Sequence, residues 1–158
     1  MTININDQFP SVTVTVIANG EIGTKESVDL LKDKKFLLVG VPGAFTPTCH
    51  GSHLPGYVEN LSKFNKKDLN VIFISVNDPF VIQAWADASN ANDIIMIADG
   101  NCNLTNELGL KMDGSAFGLG DRCKRFAMLI EDGKVTSIDI EEPGALEVSS
   151  AQYQLAKI

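Results

Sequence analysis

The feature that most constrains this chain is an alternation of short, continuous apolar runs with segments of helical periodicity. Residues 35–41 (KFLLVGV) and 71–76 (VIFISV) are unbroken apolar runs of strand length. Such runs suit a sheet covered on both faces rather than one face open to water. Helical patterns lie between them, so the predicted fold is an α/β layer structure with a central mixed sheet flanked by helices. Ahead of the first central strand, Val12, Val14 and Val16 alternate, and Asn19-Gly20 supplies turn chemistry, which predicts an N-terminal hairpin extension. After residues 71–76, Asp78 is placed to cap a helix with Pro79 at its first position. That helix is expected to turn Phe80, Val81, Ala84, Trp85 and Ala88 inward. Residues 94–98 read as a further strand and residues 103–108 as a short helix stopped by Gly109. Asp132-Gly133 joins two strands in a hairpin, and residues 150–157 form a terminal helix.

At 158 residues with no linker-like shift in composition, one domain spanning residues 1–158 is expected. The net charge of −7 repels phosphate backbones and anionic membrane surfaces, so neither nucleic acid nor membrane is an expected partner. The N-terminus lacks a signal-peptide pattern and no apolar run approaches the ~18 residues of a span, which points to a cytoplasmic protein. Three widely spaced cysteines, Cys49, Cys102 and Cys123, fit free thiols better than a disulfide framework.

The chemistry concentrates in Pro42-Gly43-Ala44-Phe45-Thr46-Pro47-Thr48-Cys49-His50. Thr46 followed by Pro47 reads as a helix cap and first helical residue, which puts Cys49 at the third helical position. There the unpaired amides and the helix dipole favour a thiolate, the nucleophilic form. The Thr46 hydroxyl is near enough to bond the sulfur or a bound oxygen. A lone cysteine near a helix start is nonetheless most often a small buried hydrophobe, so position alone does not settle reactivity. Pro55-Gly56 should break or kink the following helix by removing a hydrogen bond near Gly51.

The string VPGAFTPTCHGSHLPGYVE, with Pro42, Thr46 and Cys49 in a Pro-x-x-x-Thr-x-x-Cys arrangement, resembles the active-site segment of the peroxiredoxins, in particular their type II or peroxiredoxin-5 group. The resemblance continues through DQFP, ISVNDPFVIQAWA, ADGNCNLTNELGL, GLGDRCKRFAMLIEDGKV and VSSAQ, and so covers almost the whole chain. It implies a thioredoxin-like fold and a thiol peroxidase of hydrogen peroxide and alkyl hydroperoxides. In that family likeness Cys49 is the peroxidatic nucleophile, Thr46 bonds sulfur and peroxide, Pro42 shields the pocket, and the backbone N–H groups of Thr48 and Cys49 hold the second peroxide oxygen. Arg125 matches the family's distant arginine, a permanent cation suited to stabilising a thiolate.

His50 and His53 flank the same cysteine. Cys49 and His53, one turn apart, look like half of a metal site, but only Cys102 or Cys123 could add another soft ligand, so no metal and no bound organic cofactor is expected. His53 is better read as a support behind the site or an interface residue. A cysteine hydrolase would bring its histidine from far along the chain, and both histidines sit beside the cysteine. The positions where relatives carry a resolving cysteine are vacant: residues 141–150 contain none, and Phe73 occupies the other. The expectation is therefore a one-cysteine cycle reset by glutathione, glutaredoxin or thioredoxin, with Cys102 and Cys123 as packing residues and a homodimer as the assembly. A redox sensor or switched holdase built on the same cysteine is the alternative.

Overall fold

The computed structural model describes residues Met1–Ile158. Seven strands form one mixed sheet: β1 (Thr13–Ala18), β2 (Glu21–Glu26), β3 (Lys35–Gly40), β4 (Leu69–Ser75), β5 (Ile95–Ala98), β8 (Phe126–Glu131) and β9 (Lys134–Ile140). A two-stranded ribbon pairs β6 (Lys111–Asp113) with β7 (Asp121–Cys123). The helices are α1 (Ser27–Leu30), α2 (Leu54–Asn65), α3 (Pro79–Ala88), α4 (Asn103–Leu108) and α5 (Ala151–Lys157). The sheet order is β2-β1-β5-β4-β3-β8-β9, with β3, β4 and β5 parallel and the pairs β1–β5 and β3–β8 antiparallel. The N-terminal hairpin extends one edge of the sheet, and the Asp132-Gly133 hairpin closes the other.

Side chains alternate across the central strands, so the sheet has a core on each face. Leu37, Val39, Val71, Phe73 and Met96 pack with Tyr57 and Phe64 of α2, Trp85 of α3 and Ala151 of α5. Phe36, Leu38, Ile72, Ile74 and Met128 pack on the other face with Leu104 and Leu108 of α4. Turn chemistry is obeyed where the sequence shows it: Asn19-Gly20 and Asp132-Gly133 both take positive φ at both residues, as a tight two-residue hairpin requires. Asp78 accepts from Val81 N–H at 2.9 Å, capping α3 as expected.

One helix face differs from the sequence expectation. The inward residues of α3 are Ile82, Trp85 and Ala86, with Val81 half-buried, whereas Phe80, Ala84 and Ala88 are exposed. Both sets obey helical spacing. Most of this helix is apolar, so periodicity leaves its rotation undetermined, and the fit of Trp85 beneath β4 decides it.

The end of β3 carries the site, and its geometry rests on a cross-strand pair. Gly40 lies opposite Phe126, and a Cβ on Gly40 would approach the Phe126 ring to 2.1 Å. The missing side chain makes room for that ring, which belongs to the residue after Arg125. Gly40→Ala should therefore lower the unfolding free energy by about 1–3 kcal/mol through overpacking. Urea denaturation measures this, and an unchanged midpoint would contradict the packing argument.

Candidate active site

The loop leaving β3 runs into the helix as the Thr46-Pro47 pattern predicts: Pro47 and Thr48 are helical, and the Thr46 carbonyl accepts from His50 N–H at 2.8 Å. The kink expected at Pro55 appears as a π-helical turn over Cys49–His53. Pro55 has no N–H to return to the preceding turn, so the backbone widens there, and Leu54 N–H bonds the carbonyl of Cys49 five residues back. Before the helix, Phe45 holds a left-handed φ of 62°, a strained state for an aromatic residue. Two side chains restrain this loop. Asn77 Oδ1 accepts from Ala44 N–H at 3.0 Å, and Arg122 donates to the Pro42 carbonyl at 3.3 Å.

Cys49 is fully buried. Its sulfur accepts from Nη2 of Arg125 at 3.1 Å, across 76 residues of sequence. Nη1 of Arg125 donates to Nδ1 of His53 at 2.6 Å, so the imidazole carries its proton on Nε2, which donates to the Ser149 carbonyl at 2.9 Å. Tyr57 donates to the same carbonyl at 2.7 Å. The N–H groups of Thr48 and Cys49 lie in the first turn and no protein carbonyl accepts them. The Thr46 hydroxyl donates to Gly43 O at 2.7 Å, not to the sulfur, because the turn brings that carbonyl closer in line. Its lone pairs remain free to accept. Pro42 is half-buried beside this turn.

These contacts define a chemistry. Burial alone favours a neutral thiol, whereas a guanidinium in hydrogen-bond contact and unpaired amides at a helix start favour the thiolate. The other two cysteines have no such company. Burial, reinforced by the nearby Asp99, pushes the thiols of Cys102 and Cys123 upward, which leaves both as neutral, weakly nucleophilic groups.

The two histidines diverge. His50 accepts from the indole N–H of Trp85 at 3.1 Å, and His53 serves Arg125 and Ser149. His53 is thus the support behind the site that the sequence suggested. Sequence reading missed Asn77, Arg122, Tyr57 and Ser149. Asn77 was legible only as part of a helix start, and Ser149 acts through its backbone carbonyl, which no side-chain pattern reveals.

The fold and this site together have the form of a thiol-based redox protein: a buried cysteine in a turn on the end of a central strand, faced by an arginine. Comparison with known proteins narrows the class. Residues 4–155 match the Redoxin family. Peroxiredoxin-2B of Arabidopsis thaliana is 41% identical over 152 residues, covering 94% of each chain. Putative peroxiredoxin-A of Candida boidinii is 41% identical over 164 residues, covering 99% of this chain and 98% of that one. The crystal structure of reduced Prx3 in complex with H2O2 from Vibrio vulnificus superposes with a TM-score of 0.93 at 39% identity, covering 99% of both chains. The chain therefore belongs to the peroxiredoxins, thiol peroxidases with a thioredoxin-like fold.

His53 gives the site a pH signature. Burial, chiefly, and then the Arg125 charge lower its pKa from 6.5 to about 4, partly offset by the Ser149 bond and Glu141. A base depressed in the folded state contributes stability that is complete above its unfolded value and lost as pH falls toward the folded one. From 6.5 down to about 4 this group should remove on the order of 3 kcal/mol. His53→Asn should be less stable than the native chain at neutral pH, with the gap narrowing on acidification. Urea midpoints across that window test this, and parallel pH curves for the two proteins would refute it.

Proposed function

We propose that Cys49 is the peroxidatic residue of a peroxidase acting on hydrogen peroxide and alkyl hydroperoxides, in antioxidant defence and redox homeostasis. The observation that carries the reading is the 3.1 Å contact between the Arg125 guanidinium and the Cys49 sulfur. Cys49 attacks one peroxide oxygen as a thiolate, the O–O bond breaks, and water or an alcohol leaves with the proton the peroxide carried. Solvent returns to the oxidised sulfur the proton the thiol gave up. The sulfur keeps the attacked oxygen as a sulfenic acid. Arg125 holds the charge of thiolate and transition state. The Thr46 hydroxyl, its own proton committed to Gly43 O, accepts the hydrogen of the bound peroxide. The free N–H groups of Thr48 and Cys49 hold the distal oxygen, and Pro42 excludes water from one side. Donors placed beforehand along the line of displacement supply the rate.

The cycle then needs an outside thiol, because Cys102 and Cys123 are buried, neutral thiols. Glutathione, with glutaredoxin, or thioredoxin attacks the sulfenic sulfur, releasing water and forming a mixed disulfide that a second thiol resolves. A fully buried sulfur must first become accessible, and the π-turn, with its interrupted hydrogen bonds, is the segment suited to open. No metal or organic cofactor takes part. The protein works as a homodimer in the cytoplasm, a reducing compartment that keeps three cysteines as thiols. Phe45 in the loop before Cys49, Phe80 in the first turn of α3 and Phe117 are exposed aromatics that suit a dimer contact. No helix is long and apolar enough to cross a membrane.

Peroxide consumption with glutathione and glutaredoxin, or with thioredoxin, tests the reading. Cys49→Ser should abolish it, Arg125→Gln should slow it by roughly 10²–10³ as for loss of one preorganised donor, and Cys102→Ser and Cys123→Ser should turn over like the native chain. Undiminished consumption by Cys49→Ser would refute the assignment. Stoichiometric oxidation without turnover under every reductant would favour a sensor.

A further inference from the structure

Arg125 is held from two directions by one residue, Glu141, at the end of β9. The backbone N–H of Glu141 donates to the Arg125 carbonyl at 2.9 Å, continuing the β8–β9 ladder beyond the Phe126 and Ile140 pair. Its carboxylate reaches the other end of the same side chain by relay. Oε2 of Glu141 accepts from Ser149 N–H at 2.9 Å, from the Ser149 hydroxyl at 2.7 Å and from Glu147 N–H at 2.7 Å. Those three bonds fold the segment between β9 and α5 so that the fully buried Ser149 points its carbonyl at His53 and Tyr57. His53 in turn takes Nη1 of Arg125, and Nη2 rests on the sulfur. The path is a closed ring: from Glu141 backbone to Arg125 backbone, along the guanidinium to His53 and Ser149, and back to the Glu141 carboxylate.

A guanidinium on a long flexible stem has many rotamers, and only a narrow set puts a donor on the sulfur while another serves His53. The ring selects that set. We propose that Glu141 is a positioning residue for the peroxide reaction, acting through Ser149 and His53 on Arg125 without touching the sulfur. The role is geometric. The Glu141 charge itself would oppose an anion at Cys49, so the residue contributes by where it holds the segment and not by its field. Burial opposes the ionised carboxyl, but the hydrogen bonds from Ser149, Glu147 and Val148 outweigh it and hold its pKa below the ordinary range, in keeping with an anchor that stays ionised.

The inference rests on the reading of Cys49 as the peroxidatic residue, and the test separates the two. The rate of oxidation by hydrogen peroxide in a single turnover is followed through the fluorescence of Trp85, the only tryptophan, bonded to the residue after Cys49. E141A should react about tenfold more slowly than the native chain, the cost of a mispositioned reacting group. E141Q keeps an oxygen acceptor at the same place and should stay within about threefold. In a His53→Leu background the relay is already cut, so E141A should add no further loss, the signature of residues acting in one chain. If E141A does not fold, Ser149→Ala removes one of the three bonds to the carboxylate and should slow the reaction about twofold to threefold, again only while His53 is present. Native rates in both E141A and Ser149→Ala, or an E141A loss that persists unchanged in the His53→Leu background, would overturn the proposal. A native chain no faster than Cys49→Ser would instead overturn the reading of Cys49.

Discussion

The structure is organised around one contact, a guanidinium nitrogen 3.1 Å from a sulfur that is closed off from solvent. In water such a pair would be worth little, because solvent screens the charges and the arginine stem roams. Inside the protein the screening that weakens such a pair in water is reduced, so the contact keeps its geometry and its strength. Its two halves come from adjacent strands. β3 delivers the cysteine turn, β8 delivers Arg125, and the antiparallel register that sets Gly40 against Phe126 brings 49 and 125 together. A one-residue slip would turn the neighbouring side chains to the opposite face.

The turn that presents Cys49 is built from departures from ideal geometry. Phe45 is strained, Pro47 starts the helix without an N–H, and Pro55 forces the π-turn over Cys49–His53. Together they leave the Thr48 and Cys49 amides without a carbonyl partner and widen the backbone from Cys49 to His53, the two features that the proposed peroxide and reductant steps call on. The two needs conflict in a rigid helix. A widened turn, with the loop before it tied down by Asn77 and Arg122 and with His53 bonded across to Ser149, meets both.

Much of this was legible in the sequence. The hairpins at Asn19-Gly20 and Asp132-Gly133, the cap at Asp78, the stop at Gly109 and the central apolar strands follow from local rules, and each appears as expected. The place of Cys49 in the first helical turn was legible for the same reason. What local rules could not supply is rotation and distance. The α3 face turned differently because an almost wholly apolar helix carries no periodic signal, which left Phe80 outside and Ile82 inside. The convergence of Arg125, His53 and Ser149 depends on sheet order and on a backbone carbonyl, and neither is written in residue spacing. The family resemblance, not periodicity, pointed to Arg125.

The most direct test of the account reads the sulfur itself. The rate at which one equivalent of hydrogen peroxide converts Cys49 to a trappable sulfenic acid, with Cys49→Ser as the blank, should fall roughly 10²–10³-fold in Arg125→Met. Equal rates with and without the guanidinium would contradict the claim that this contact governs the site.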